Sequence, residues 1–403
     1  MGIRMLTDEL LKHDKFAIFG AQVIAIGAYT AIKGLTGLVP VCFAVSGASG
    51  AIRDGLYGNP SEIDGIEIRQ FDDIPKDTFI VVGVTELVQK EVVPMLRDKG
   101  YTELFVLTQH EEHILMSAYY DSIGKFPSLS ANSDISKEYD DGTKSIDIEL
   151  ARDSGDGNAV EEADSKYSED EQVAKELDLC IYEVANHRDA VLSKRPPVKS
   201  FEIPIQAGTA LTDKRIADVS DDTGISISGK NKQYCEMTAS YWVWKNTEHA
   251  WKGIEHYRRH LLVRPELLRV MSGDVDAILP LPYICYPDEL YQFRRFVSED
   301  VKDALLRGLK DVHPDEYEDY LKILHGKYQY TYNLVCARRE VFDDYCSWLF
   351  EITEYMETHY GKEVPELVET RAFSYIAEVL TNIYFMYHQS DLKIYHAEKA
   401  IFT

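Results

Sequence analysis

The sequence predicts an α/β protein made of two folded units joined by an acidic segment. Three observations carry this. Residues 15–125 alternate short apolar runs with helix-period runs, the pattern of a mostly parallel sheet wound on both faces. Across Pro127 to Asp178 the composition changes: 16 Asp/Glu face 5 Lys/Arg, a local net of −11, with Ser, Asn and Gly throughout. From about Leu179 apolar strands return, rich in Tyr and Trp, and helix-period runs dominate after Asp300. The expected organisation is residues 1–126, a Rossmann-like doubly wound domain; 127–178, an acidic linker; and 179–403, a second α/β domain with a helical C-terminal half. A length of 403 residues, 45% of them hydrophobic and 28% charged, fits two or three globular domains.

Taken in order, Lys15–Ala21 is a strand ending in a glycine turn, and Gln22–Gly34 is a helix. Val39–Ser46, Asp77–Val84 and Glu103–Thr108 are further strands, with a helix over Glu86–Gly100 between the last two. The acidic segment cannot bury enough apolar surface to offset its ordering entropy, which makes it a connector. Beyond it, Leu177–Asp189 is a strand running into a polar loop. Lys199–Gly208 is extended, with Pro204 marking a strand start or an edge. Asn231–Thr247 is one helix, Ala250–Val263 a strand leading into a basic turn, and Asp276–Pro282 another strand. Helices are expected over Glu340–Tyr360 and Thr370–His388.

The formal net charge is −25, from 68 Asp+Glu against 43 Lys+Arg. A surface so acidic excludes broad nucleic-acid binding, which needs Lys and Arg against phosphates, and polybasic recruitment to anionic lipid. A phosphorylated ligand must be met by a local cationic pocket. Six widely spaced cysteines with no C-x-x-C pair read as reduced, mostly buried thiols. The start of the chain turns acidic before any apolar run, so no signal peptide is expected there. Two uncharged stretches, 16–32 and 34–52, are better explained as strand–helix–strand than as membrane spans, since both are rich in Gly and Ala and Pro40 interrupts the second. The expected location is cytoplasmic, or peripheral at the inner face of the plasma membrane. Oligomeric state is not legible.

Gly20 after the first strand invites a dinucleotide reading. The next glycine is Gly27, however, so G-x-G-x-x-G is absent, and Val45-Ser46 ends the second strand where a ribose-gripping carboxylate belongs. The first domain is expected to be structural or ligand-sensing rather than a nicotinamide site.

The chemistry-bearing stretch is 221–260. Asp221, Asp222 and Gly224 form a polar turn that leads through Ser226, Ser228, Lys230 and Asn231 into a helix start carrying Glu236, Tyr241, Trp242 and Trp244. Unpaired N–H groups at such a start suit an anion or sugar hydroxyls, or Ser228 or Asn231 simply caps the helix and the tryptophans are core. His256-Tyr257-Arg258-Arg259 follows a strand. Two adjacent guanidinium forks suit a diphosphate, as bound group or as leaving group, and the bland alternative is a solvated basic turn.

The segments VANHRD, IPIQAG, DDTGISISGKN, YCEMTASYWVWKN, GIEHYRRHL, DAILP, YNLVCARREVFDDYCSWLF and RAFSYIAEVL occur in this order over about 220 residues. Together they resemble a family of bacterial capsular and O-antigen polysaccharide glycosyltransferases, some of whose members transfer galactofuranose. Ile225-Ser226-Ile227-Ser228 matches the family's helix-start pattern only in part. Ser374 stands for a family glycine after Arg371, and Glu378-Val379-Leu380 lacks the family arginine. The resemblance implies a GT-A-like second domain that moves a sugar, galactofuranose or galactose among them, from a nucleotide-diphosphate donor, UDP foremost, to a glycan or lipid-linked glycan acceptor. It assigns His187 and Arg188 to the nucleotide base, Lys230, Asn231, His256, Tyr257, Arg258 and Arg259 to the donor, and Asn333 and Arg371 to the acceptor.

Asp274-Val275-Asp276 precedes its strand instead of ending one, the reverse of a metal-holding Asp-x-Asp. The arginine pair is therefore expected to do a metal's electrostatic work; no cofactor is implied, and Mn²⁺ or Mg²⁺ stays open. Transfer would be inverting, with Glu378, Glu236 or Asp222 as general base. Glu236 and Glu378 are equally readable as buried partners of arginine. The competing classes are a non-catalytic nucleotide-sugar-binding or scaffold protein of polysaccharide assembly, kept alive by the departures at Ser374 and Val379, and an oxidoreductase, disfavoured by the missing glycines.

Overall fold

A computed structural model describes Leu6 and residues 9–46, 61–129, 171–192, 199–271 and 273–402. The expected linker lies mostly outside these. The chain divides into two compact units, one of residues 1–126, 281–302 and 318–329, the other of 127–280, 303–317 and 330–403. Each is a mixed α/β body with a mainly parallel sheet. The first unit is thus not closed at residue 126, because two later segments return to it.

In the first unit β1 (Phe16–Phe19), β2 (Phe43–Val45), β3 (Glu62–Ile63), β4 (Ile66–Gln70), β5 (Phe79–Val82) and β6 (Leu104–Val106) form one sheet in the order β3-β4-β2-β1-β5-β6. All neighbours are parallel except β3–β4. That pair turns on Asp64-Gly65, both at positive φ, the conformation a tight two-residue hairpin requires. β1 is central and buried on both faces, which is why Phe-Ala-Ile-Phe carries no polar residue. Gly20 ends β1 at φ +119, and a Cβ there would lie 2.6 Å from the Gly83 carbonyl oxygen, so only glycine fits. The sequence reading missed β3 and β4, and a helix over Gln109–Ser122 that opens on a Thr108–Glu111 capping box.

In the second unit the sheet holds β7 (Leu179–Ala185), β8 (Glu202–Gln206), β9 (Val219–Ser220), β10 (Trp251–His256), β11 (Arg259–Leu261) and β12 (Ala277–Pro280). The two-residue strands β13 (Tyr283–Ile284) and β14 (Tyr328–Gln329) pair with each other in the first unit. β15 (Val335–Arg338), β16 (Ile394–Ala397) and β17 (Lys399–Ile401) complete the second sheet. Its order is β16-β12-β15-β10-β7-β8-β9, with β11 and β17 attached beyond β10. β10, β7, β8 and β9 are parallel, while β15 lies antiparallel between β10 and β12. Pro204 is tolerated because β9 pairs only with Ile205 and Gln206, leaving β8 an edge at the proline.

One expectation is corrected here. The single helix over 231–247 is two, Asn231–Tyr234 and Met237–Asn246, broken where Cys235 takes φ 47. The end of the acidic segment is ordered: residues 171–176 are helical, and Val173 and Ala174 are buried, Ala174 in the same core as Leu179, Ile181 and Trp251. The long helices Arg339–Tyr360 and Ala372–Tyr387 belong to this unit and meet each other, with the Tyr345 hydroxyl 2.7 Å from Thr381 Oγ1. Among the described residues no helix is long and apolar enough to cross a membrane.

Candidate functional site

β7 and β10 are parallel neighbours, so their C-terminal ends open on one edge of the sheet, where α/β proteins hold ligands. β7 runs into a turn in which Asp189 Oδ2 accepts from the Asn186 N–H at 2.6 Å. Asn186 Nδ2 donates to the Ala207 carbonyl at 2.9 Å, tying this turn to the end of β8. The turn carries His187, whose Nδ1 is buried without a hydrogen-bond partner, and the exposed Arg188.

β10 ends in a hairpin. His256 pairs with Arg259 in register, leaving Tyr257-Arg258 as the two-residue turn. The Tyr257 N–H donates to the Val184 carbonyl at 3.0 Å, and the Arg258 carbonyl accepts from Phe402 N–H at 2.9 Å. The Arg259 guanidinium lies 4.3 Å from the centre of the Tyr332 ring. His256 Nε2 and Arg259 Nε are buried and unpartnered. Such orphaned groups cost about 1–3 kcal/mol each unless a ligand meets them.

One carboxylate comes from the break between two helices and the other from the last long helix. Glu236 follows the strained Cys235, and its Oε1 accepts from Asn333 Nδ2 at 2.9 Å and Ser374 Oγ at 3.0 Å. Asn333 is itself left-handed, at φ 52, beside Tyr332 at φ 70. Asparagine adopts this conformation readily; a tyrosine there costs about 1–2 kcal/mol. Asn333 Oδ1 accepts from Thr381 Oγ1 at 3.2 Å, continuing the network to Tyr345. Arg371, Ser374, Glu378 and Thr381 are spaced three, four and three apart, one stripe of the last long helix.

Electrostatics binds these groups into one neighbourhood. Burial, and then the Glu236 charge, push the Glu378 carboxyl up to about 7, against the opposing pull of Arg259, Arg371 and a hydrogen bond from the Tyr332 backbone. Burial holds His256 down to about 4, with Arg259, Arg258 and Arg371 also pulling it down and Glu236 opposing them, so its imidazole is neutral at pH 7. Asp189 feels Arg258, Glu236 and His187 in turn.

The structure thus brings His187, His256, Arg258, Arg259, Glu236, Asn333, Arg371 and Glu378 together. Other anticipated residues have other contacts. Asp222 is exposed, accepting from Ser220 Oγ at 2.8 Å and facing Arg215 at 3.4 Å. Its neighbour Asp221 is the buried one, taking hydrogen bonds from the backbone of Gly208 and Thr209 and from Ser228 and Thr238. Lys230 pairs with Glu357 at 2.7 Å. Asn231 bridges Asn186, the Cys235 carbonyl and Thr238, and a Cβ on Gly208 would strike it at 2.5 Å. Asp274 and Asp276 bond Lys393, anchoring the start of β12 to β16. Trp244 stacks on Phe350, and Trp242 Nε1 donates to the Thr223 carbonyl at 2.9 Å. Ser374, Thr381, Tyr332 and Cys235 were missed by the sequence reading; polar residues at helical spacing in an otherwise apolar helix were the available signal for the first two. Among the described residues, Glu202, Glu255 and His260 form a group with metal-ligand chemistry, on the other face of β10.

Comparison with known proteins matches residues 181–389 to a family described as a domain of unknown function, DUF4422. The apo structure of the bifunctional glycosyltransferase WbbM is similar over 55% of this chain, at 25% sequence identity and a TM-score of 0.47. The chain spans 45% of that protein's length. No curated protein matches.

Proposed function

We propose that this chain, which belongs to the DUF4422 family, is an inverting glycosyltransferase that moves a sugar from a nucleotide-diphosphate donor to a glycan acceptor in surface polysaccharide synthesis. The observation that carries the reading is the pairing of two opposite chemistries at one sheet edge. A carboxyl pushed up to about 7 lies beside a second carboxylate fixed by two hydrogen bonds, within the field of Arg259 and Arg371, and the nearby hairpin carries the unpartnered His256 Nε2 and Arg259 Nε.

On this reading the C-terminal ends of β7 and β10 take the donor, in a GT-A-like domain, and a Rossmann-like domain precedes it. Arg258 and Arg259 meet the diphosphate; neutral His256 offers it an N–H rather than a charge. Glu378 is the general base. Its pKa near the working pH balances readiness to accept a proton against being ionised at all. The acceptor hydroxyl gives its proton to the Glu378 carboxylate while its oxygen attacks the anomeric carbon. The bond from that carbon to the diphosphate oxygen breaks, and its electron pair leaves on the diphosphate, where the guanidinium groups stabilise the added charge. Glu236, held by Asn333 and Ser374, sets a negative charge in the field of Arg371 and raises Glu378. The cationic hairpin supplies what a divalent ion would otherwise supply, so adding Mn²⁺ or Mg²⁺ leaves the rate unchanged.

Nucleotide release from a panel of nucleotide sugars, with and without glycan acceptors, tests the reading. Glu378→Gln abolishes release while retaining donor binding in a thermal-shift assay. Wild-type turnover by that variant would overturn the base assignment, and absence of release with every donor would favour a binding or scaffold role.

A further inference from the structure

On the opposite face of β10 from His256 lies a cluster the transfer reading does not use. Adjacent strand residues point to opposite faces, so Glu255 and His260 project away from the His256–Arg259 pair that the same hairpin displays. They meet Glu202 of β8. All three are nearly inaccessible, at 3% exposure for Glu202, 0% for Glu255 and 3% for His260. His260 Nδ1 lies 3.2 Å from Glu255 Oε1 and 3.8 Å from Glu202 Oε2. One ligand atom from each residue lies within 4.8 Å of the other two.

The charge within this cluster does not balance. Lys199 Nζ pairs with Glu202 Oε1 at 2.9 Å, and the Lys199 N–H reaches Glu202 Oε2 at 3.3 Å. Glu255 Oε2 accepts from the Leu261 N–H at 3.1 Å. Glu255 Oε1 is buried with no hydrogen-bond partner, pointing at His260 and Glu202. Two buried carboxylates against one ammonium leave a negative charge that an apolar interior does not tolerate. A proton or a cation must supply the difference.

We infer that Glu202, Glu255 and His260 bind a divalent metal ion of the zinc type, which locks β11 and the hairpin turn onto β8 and β10. One imidazole nitrogen with two carboxylates is a donor set that suits Zn²⁺, Mn²⁺ or Fe²⁺ better than Mg²⁺ or Ca²⁺. Ligand atoms at about 2.0–2.2 Å from a tetrahedral ion stand roughly 3.4 Å apart, between the two distances His260 makes. The ion is structural: it lies behind the hairpin and touches none of the groups that would meet a donor. The inference does not depend on what the chain transfers.

Elemental analysis of the full chain, purified without a polyhistidine tag or chelator, is expected to find about one zinc-type ion per molecule. Removal by a chelator lowers the melting temperature, adding Zn²⁺ restores it, and Co²⁺ in its place gives visible d–d absorption. Glu255→Gln and His260→Ala lose the ion, whereas His256→Ala, on the other face, keeps it. A metal content near zero in wild-type protein, with no thermal response to Zn²⁺ and no Co²⁺ spectrum, overturns the inference and leaves a proton on Glu255 as the compensating charge. Those wild-type measurements decide the question even where the Glu255 variant does not fold.

Discussion

Glu378→Gln separates catalysis from stability in a way that depends on pH. The Glu378 carboxyl is raised from an ordinary value of 4.5 to about 7. That change of about 2.5 pKa units, at about 1.4 kcal/mol per unit, amounts to roughly 3 kcal/mol between its two protonation states. A carboxyl raised by folding binds its proton more tightly in the folded protein. Its stabilising contribution is therefore complete below about 4.5 and is lost as pH rises through about 7. At pH 8 the wild-type protein carries a buried charge that the glutamine variant does not, while the glutamine oxygen still accepts from the Tyr332 N–H. The variant is thus expected to be inactive in nucleotide release at every pH, to match wild type in stability near pH 4.5, and to exceed it by up to about 3 kcal/mol at pH 8. Urea unfolding of both proteins at pH 5, 6, 7 and 8 reads this directly, since titrations common to both cancel. A stability difference that does not change with pH would refute the buried, raised carboxyl, and with it the reason for choosing Glu378 as the base.

The remaining predictions address the site and its support. Arg259→Gln should weaken UDP binding roughly 10- to 150-fold by calorimetry, the equivalent of one charge-assisted hydrogen bond of about 1.5–3 kcal/mol. Asn333→Asp keeps the side-chain shape but places a carboxylate against Glu236 Oε1; kcat should fall by a similar factor with KM little changed, as steady-state kinetics would show. His256→Asn should be more stable than wild type at pH 5 and equal to it at pH 8. A histidine depressed to about 4 makes the folded state lose stability as pH falls from 6.5 toward 4, so matched unfolding curves at the two pH values check the sign. Lys252, fully buried and 2.7 Å from the partly exposed Asp343, predicts an asymmetry: Asp343→Ala should cost about 3 kcal/mol in urea unfolding and Lys252→Met less, because only the former strands a buried charge.

The hairpin that presents Arg258 and Arg259 was readable because a strand-length run ends in His256-Tyr257-Arg258-Arg259, a cluster of polar and cationic residues that is local in the chain. The same holds for β1, β5 and β7, whose runs are apolar enough to demand burial on both faces. The break at Cys235 was not readable. Every residue from Asn231 to Asn246 tolerates a helix, and the chain leaves it because Asn231 Nδ2 bonds the Cys235 carbonyl at 2.7 Å and Glu236 is drawn to Asn333. Nor could Asp221 be told from Asp222. Both are acidic residues in one polar turn, and only the packing of Gly208, Ser228 and Thr238 makes one of them the buried hub. The placement of β15 between β10 and β12 likewise follows from contacts far apart in the chain.

Local sequence by itself determined the alternation of strands and helices, the acidity of the segment before Leu179 and the cationic turn after β10, because each depends on neighbours within a few residues. Tertiary structure alone decided which of those polar groups meet. Glu236 finds Asn333 and Ser374 across 97 and 138 residues. The pKa of Glu378 near 7 is set by the burial and charges that such a meeting creates.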